Sequence, residues 1–323
     1  MEKVANYSDC RTALKGTEYN NLFKRNCRNR FKAEDTNLFK DYSGGYYLPD
    51  VFDEKLEAVM SRENIMRQLC KAFKSSAIKT STAAKIFISM TKPASAWRDA
   101  GESISINTEI FNRLTVNAFK LSVAVSFSNS FLLDESIDLE AYLTEAFGKE
   151  LAAKEEEAFL TGSGLKQPLG ILQTISAEQD RYIISENSAT ISASDLIKVQ
   201  KALPRTYRRN ATWLVSDSCL EQIRNLRDSA QNLLWQPGLS GTEPPSLLGA
   251  RVFTSPFLPE PASNQIVALY GDFSHYRIIQ RAHRTIIPIE EMLALNDLSA
   301  FIVTEYIDGI LLDTSAVKGI RLK

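Results

Sequence analysis

Chemistry in this chain has few places to reside. There are two histidines, His275 in GDFSHYRI and His283 in QRAHRT. Both fall in strand-like stretches, where a satisfied structural imidazole is the expected role. The four cysteines, Cys10, Cys27, Cys70 and Cys219, are widely spaced, with no CxxC pair. That spacing argues against a zinc site or a disulfide framework and fits a reducing cytosol. Lys154, Glu155, Glu156 and Glu157 concentrate charge. Neighbours on a helix diverge by about 100°, so three adjacent glutamates do not converge on one ion, and a solvated or interface-facing surface is expected there. FLTGSG, followed by Lys166, is punctuated by glycine but lacks the lysine-serine pair of a phosphate loop, and neither GxGxxG nor GxSxG occurs. No catalytic residue, metal or cofactor is expected. One basic stretch remains: Lys24, Arg25, Arg28, Arg30 and Lys32 place five positive charges in nine residues with no acid between them. It reads either as a solvated or partner-bound arm or as a surface that neutralises phosphates without reading sequence.

The elements that would carry these residues are more informative. From Asp138 to Ile171 the chain reads DLEAYLTEAFGKELAAKEEEAFLTGSGLKQPLGI. Leu139, Leu143, Phe147 and Leu151 recur every four residues, with Tyr142 and Ala146 beside them, so one face is apolar. Ser136 or Asp138 can cap the start, Gly162 and Gly164 stop the helix, and Pro168 prevents its resumption. A helix over 138–161 would be about 35 Å long, the length of a structural spine. Residues 1–43 are polar with few periodic apolar positions. Over 76–130, AKIFISM and LTVNAFKLSVAVSFS alternate like strands, with a change of phase after Ala118 that suggests a bulge. Between them, TKPASAWRDAGESISINTEIF is turn-rich, so the two runs make a protruding hairpin. Such a hairpin buries too little to stand alone. Residues 190–323 read as α/β, with a capped helix at SASDLIKVQKALP, a buried strand at ATWLVS and a helix capped by Asp217 or Ser218. At 323 residues and net charge −1, the chain can hold a sizeable core and is no polycation. No apolar run is long enough to span a membrane, and MEKVANYSDC lacks the apolar core of a signal peptide.

Five stretches in order resemble one family. They are GGYYLPDVFDEKLEAVMSRENIMRQLC, the long helix with FLTGSG and QPLGIL, YRRNATWLVSDSCLEQIRNLRDSAQNLLWQP, PPSLLGARVFTSPFLP and ALYGDFSHYRIIQR. Together they resemble the major capsid proteins of tailed bacteriophages, over roughly residues 44–323. The resemblance implies an α+β Hong Kong 97-type capsid fold, with an N-terminal arm, an extended β-hairpin loop, a peripheral domain with a long spine helix, and an axial α/β domain. The implied organisation is arm 1–43, peripheral domain 44–75, extended loop 76–115, peripheral domain 116–190 with the spine helix, axial domain 191–272, peripheral strands 273–310 and a return to the axial domain over 311–323.

By the same resemblance, the chain is expected to self-assemble into hexamers and pentamers of an icosahedral shell around double-stranded DNA, in the bacterial host cytoplasm. About forty residues precede the Gly44–Gly45 turn, so scaffolding is expected from a separate protein, with a portal as a further partner. Trp97, Arg98 and Asp99 near the hairpin tip, and Trp235 and Gln236 in the axial loop, are the candidate inter-subunit contacts. Trp97 packing on its own hairpin is the alternative. The basic arm from Lys24 to Lys32 is the candidate DNA-facing element. Some capsids of this fold cross-link a loop lysine to an asparagine, with a glutamate as base. Here Asn296 is a plausible acceptor, but no lysine lies between Pro93 and Phe119, and Val303 stands where the glutamate would fall, with Glu305 nearby. No self-cross-linking is expected. An encapsulin-like compartment and a soluble α/β enzyme with an unrecognised site remain as alternatives.

Overall fold

In the computed structural model the described residues are 3–4, 12–28, 31, 38–41, 44–75, 84–89, 111–134, 136–227, 246–281, 283–289 and 296–323. Two large sheets and a separate two-stranded ribbon organise them, and one long helix lies alongside.

The first part of the chain forms β1 (Lys3–Val4), α1 (Thr17–Arg28), β2 (Phe39–Lys40), β3 (Tyr46–Tyr47), α2 (Asp50–Glu63), α3 (Ile65–Leu69) and β4 (Lys71–Ser75). The expectation of few periodic apolar positions before Gly44 does not hold for α1. Tyr19, Phe23 and Cys27 recur at four-residue spacing and are buried in the same core cluster as Phe52, Leu56 and Met60 of α2. Their intervals match one helical face, a signal masked by the charges around it.

Next come β5 (Ala84–Ser89), β6 (Phe111–Val116), β7 (Phe119–Ser128) and α4 (Asn129–Leu133). The second alternating run is thus two strands where a bulge was expected. β5 and β6 pair with each other as an antiparallel ribbon, Ala84 opposite Val116 and Ser89 opposite Phe111. β7 joins a different sheet. The break at Asn117 and Ala118 has a cause: the Asn117 amide donates to the Asp308 carboxylate at 2.7 Å, while Val116 packs against Ile279. Burial pushes the Asp308 acid up to about 6, although it accepts from the Gly309 and Asn117 amides.

The long helix α5 (Leu139–Thr161) starts at Asp138, whose carboxylate accepts from the Ala141 amide, and stops at Gly162. Its buried positions include Leu139, Leu143, Phe147 and Leu151, with Phe159 and Leu160 nearer its end. It packs along α2, with a close approach at Gly148: a Cβ there would lie 2.6 Å from Val59 Cγ1 and 2.9 Å from Val59 Cβ. Glycine inside a helix normally costs about 1 kcal/mol relative to alanine. At this crossing the sign reverses, because the obstacle is a short branched side chain that cannot swing away. Gly148→Ala is expected to destabilise the chain by about 1–3 kcal/mol, read from the urea midpoint; a gain in stability would show that the two helices separate easily.

The remainder is α6 (Ile171–Ser176), β8 (Tyr182–Ile184), α7 (Ala193–Ala202), α8 (Arg205–Arg208), β9 (Thr212–Val215), α9 (Asp217–Arg224), β10 (Ser246–Leu247), β11 (Ala250–Thr254), β12 (Ile266–Gly271), β13 (Tyr276–Arg281), β14 (Thr285–Ile289), β15 (Leu298–Leu311) and β16 (Val317–Arg321). α7 carries a full capping box, Ser192 with Asp195. α9 is capped by Ser216, one residue before the expected Asp217.

One sheet has eight strands in the order β1-β2-β3-β14-β15-β13-β4, with β7 also on β15. β15 is its axis: β7 pairs along one edge, and β14 then β13 pair along the other. The second sheet is six-stranded, β10-β11-β9-β12-β16-β8. Its core holds Trp213, Val215, Tyr270 and Ile320. The chain enters the second sheet at β8, leaves it after β12 for β13 to β15, and returns as β16, so the two sheets belong to one interwoven unit with no linker between modules.

Candidate functional site

Two of the charged groups that sequence reading placed on a solvated or interface-facing surface lie inside. Glu155 and Glu156 of α5 are buried, at 1% and 3% exposure, whereas Glu157 stays outside and pairs with Lys154 at 2.8 Å. The expectation of one solvated or interface-facing surface for all three is therefore corrected. The 100° divergence that keeps them from one ion instead sends them to different partners. Glu156 accepts from the Ile65 amide at 2.9 Å and from the Ser255 hydroxyl, joining α5 to α3 and to the end of β11. Burial raises its carboxyl above the ordinary value.

Glu155 faces Arg67 of α3. Arg67 Nε donates to Oε2 at 2.5 Å and Nη2 to Oε1 at 2.6 Å, a two-pronged ion pair. Arg67 also reaches Glu57 of α2 at 3.1 Å. Beside it lies Arg284, just before β14, with no exposed surface. Its Nε donates to Glu305 Oε2 of β15 at 2.7 Å, its Nη1 to Asp53 Oδ1 of α2 at 2.6 Å, and its Nη2 to the Met60 sulfur at 3.3 Å. The Gln280 amide, oriented with its oxygen toward this guanidinium, accepts at 2.6 Å. Lys74 of β4 completes the group, 2.5 Å from Glu57 and 3.2 Å from Asp53. Burial alone would lower the Arg284 pKa, but Asp53 and Glu305 outweigh it and hold the guanidinium charged. Burial likewise pushes Asp53 up, and Arg284 with Lys74 brings its carboxyl below the ordinary value. This network ties α2, α3, α5, β4, β14 and β15 at one junction. Sequence reading missed it because its members are scattered from position 53 to position 305.

Of the expected site residues, Trp97, Arg98, Asp99, Trp235, Gln236, Arg30 and Lys32 lie outside the described residues. Lys24, Arg25 and Arg28 sit on α1. Lys24 pairs with Glu140 of α5, which Lys55 also reaches at 2.6 Å. Arg28 donates to the Asp134 and Ile137 carbonyls at 3.0 and 2.8 Å. Two of these cations thus fasten α1 to the start of α5.

The remaining candidates resolve into structural roles. His275 stacks edge-on against Tyr207, with ring centroids 5.1 Å apart, and His283 lies 3.9 Å from Asp50. Cys27, Cys70 and Cys219 are free and buried. Burial pushes the thiols of Cys27 and Cys70 far up and that of Cys219 to about 12, which leaves them unreactive. Asn296 is exposed, Val303 is buried in the core, and Glu305 is engaged by Arg284. Among the described residues no cluster of His, Cys, Asp and Glu could hold a metal ion, and no helix is long and apolar enough to cross a membrane.

An eight-stranded sheet crossed by a long helix, with a second α/β sheet and a separate β-ribbon, is the Hong Kong 97-type capsid fold of shell-building proteins. The sequence model of the phage capsid family matches residues 44–322, and the chain belongs to that family, as a major capsid structural subunit of a phage or phage-like particle. Among solved structures it is similar to the capsid of a native GTA particle computed with C5 symmetry, with TM-score 0.66, 21% identity, and 82% of this chain and 90% of that chain covered. It is also similar to a chain from Gordonia phage Cozz, with TM-score 0.57, 14% identity and 81% and 87% covered. A third is from Mycobacterium phage Adephagia, with TM-score 0.55, 16% identity and 82% and 90% covered. No curated protein sequence matches the chain.

Proposed function

We propose that this chain self-assembles into the hexamers and pentamers of an icosahedral head that encloses double-stranded DNA, assembled in the bacterial host cytoplasm with a separate scaffolding protein and a portal. The observation that carries the reading is the β5–β6 ribbon. Among the described residues its strands pair only with each other, outside both sheets. A two-stranded ribbon is marginal alone and gains stability by lying across a neighbour, which is how a shell built from many modest contacts holds together. Trp97, Arg98, Asp99, Trp235 and Gln236 are the proposed inter-subunit contacts. Lys24, Arg25, Arg28, Arg30 and Lys32 are the proposed DNA-facing group, Lys24 and Arg28 serving also as internal ties. The shell is held without covalent cross-links, since no lysine lies between Pro93 and Phe119 and Val303 stands where the glutamate base would fall.

The test is light scattering with negative-stain microscopy on the full chain, expressed alone and then with a candidate scaffold. Rings of five or six, or closed shells that protect nucleic acid from nuclease, are expected, with a single monomer band on a denaturing gel. A strict monomer under both conditions would overturn the shell reading. Shells filled with a protein and free of nucleic acid would overturn the DNA assignment.

A further inference from the structure

We infer that Glu305 on β15 keeps a proton and donates it in a hydrogen bond to Glu155 on α5, and that this bond latches the long helix onto the eight-stranded sheet. Both side chains are fully buried. Glu305 Oε2 is satisfied by Arg284, but Glu305 Oε1 is buried with no hydrogen-bond donor. The Glu155 carboxyl is near enough to act on Glu305 through both its charge and a side-chain hydrogen bond, and its two oxygens already accept from Arg67. Two charged carboxylates in contact in a water-poor site repel strongly; one proton turns them into a donor and an acceptor. The charge balance agrees. Asp53, Glu57, Glu155 and Glu305 face Arg67, Lys74 and Arg284. Four acids against three cations leave one negative charge, and one held proton makes the cluster neutral.

The groups that surround the pair come from every packed element. α2 supplies Asp53 and Glu57, α3 supplies Arg67, β4 supplies Lys74, β13 supplies Gln280, and Arg284 precedes β14. β7 presents Leu121 opposite Glu305. Asp50 and His283 form the outer margin, with Asp50 close enough to feel Asp53 and Lys74. A groove of about 290 Å³ between β7 and α5 reaches Glu155 and gives the proton a path to solvent; Lys120, Lys154, Glu157 and Lys166 are the other charged groups that line it.

Burial, then the Glu155 charge, pushes Glu305 from 4.5 up to about 8. A raised acid holds its proton in the closed junction and gives it up when the junction opens to water. The latch is therefore complete below about pH 4.5, weakens as pH rises, and reaches its weakest state above about pH 8. One proton corresponds to about tenfold per pH unit in the closing equilibrium across that window.

Hydrogen exchange on the unassembled full chain tests this, with α7 in the other sheet as internal reference. Between about pH 5 and about pH 8, after correction for intrinsic exchange, protection of α5 and β15 should fall by up to tenfold per unit relative to α7. Glu305→Gln, which donates a hydrogen bond to Glu155 at every pH, should reduce that slope by up to one proton while keeping the protection, the remainder belonging to Asp308 on β15 and Glu156 on α5. Equal slopes in the two proteins, or a flat wild type, would overturn the latch. Should the variant fail to fold, infrared spectroscopy of the wild type decides: a protonated carboxylic acid persisting at about pH 7 is expected, and its absence overturns the proposal. Both readouts use single subunits, so their failure leaves the shell reading untouched.

Discussion

Arg284→Met is expected to lower the unfolding free energy by about 3–5 kcal/mol, measured as a reduced urea midpoint at unchanged slope. Arg284 has no exposed surface and holds Asp53, Glu57 and Glu305 around one guanidinium. Its removal leaves buried carboxylates that, among the described residues, face Arg67 and Lys74 as their remaining cations. Breaking a buried pair from one side is far more costly than its net contribution, because the orphaned charge stays desolvated. Arg284→Lys should recover part of the loss: it restores the charge but not the fork that reaches Glu305 and Asp53 at once. The pH dependence carries a sign. Arg284 helps to hold the Asp53 carboxyl below its ordinary value. A lowered acid contributes stability above its unfolded pKa and loses it as pH falls through the folded one, so the deficit of Arg284→Met should narrow in acid. A deficit under about 1 kcal/mol at neutral pH would show that water enters the junction and that the network does not tie the helix to the sheet.

Phe147→Ala is expected to destabilise the chain by about 3–5 kcal/mol. Phe147 has no exposed surface and shares a core cluster with Phe52, Leu56 and Met60 of α2 and with Leu143 and Leu151 of its own helix. Deleting the ring removes its transfer free energy and leaves a cavity that two helices held close at Gly148 cannot collapse around. Glu157→Ala on the same helix is the contrast. Its side chain is 46% exposed and, among the described residues, pairs with Lys154, so its change should stay within about 0.5 kcal/mol. Equal effects in the two variants would mean that α5 is stabilised by its own propensity, with little contribution from packing.

The parts legible in the sequence are those in which a short stretch contains its own cause. Leu139, Leu143, Phe147 and Leu151 define a buried face, and Asp138 and Gly162 bound the helix that carries it. Ser192 and Asp195 lie three apart and close a capping box. The α+β class and the Hong Kong 97-type fold were readable from five stretches in order, because order along the chain survives when sequence identity is low. At the second alternating run the reading weakened: alternation marks strands but does not say which sheet receives them, and β6 and β7 diverge on the amide of Asn117 bonding to Asp308 far along the chain.

The candidate site shows the same boundary more sharply. Sequence alone determined that histidine is scarce, that no phosphate loop is present, and that a long helix carries three adjacent glutamates. It assigned those glutamates to a solvated or interface-facing surface because charge is ordinarily kept out of a core. Only the tertiary structure decided that Glu155 and Glu156 turn inward while Glu157 does not. Their compensation comes from Arg67, Arg284 and Ser255, which are distant in sequence and adjacent only once both sheets have closed. A buried charge is stabilised by partners at about 3 Å, and local pattern carries no information about partners brought there by the chain's return.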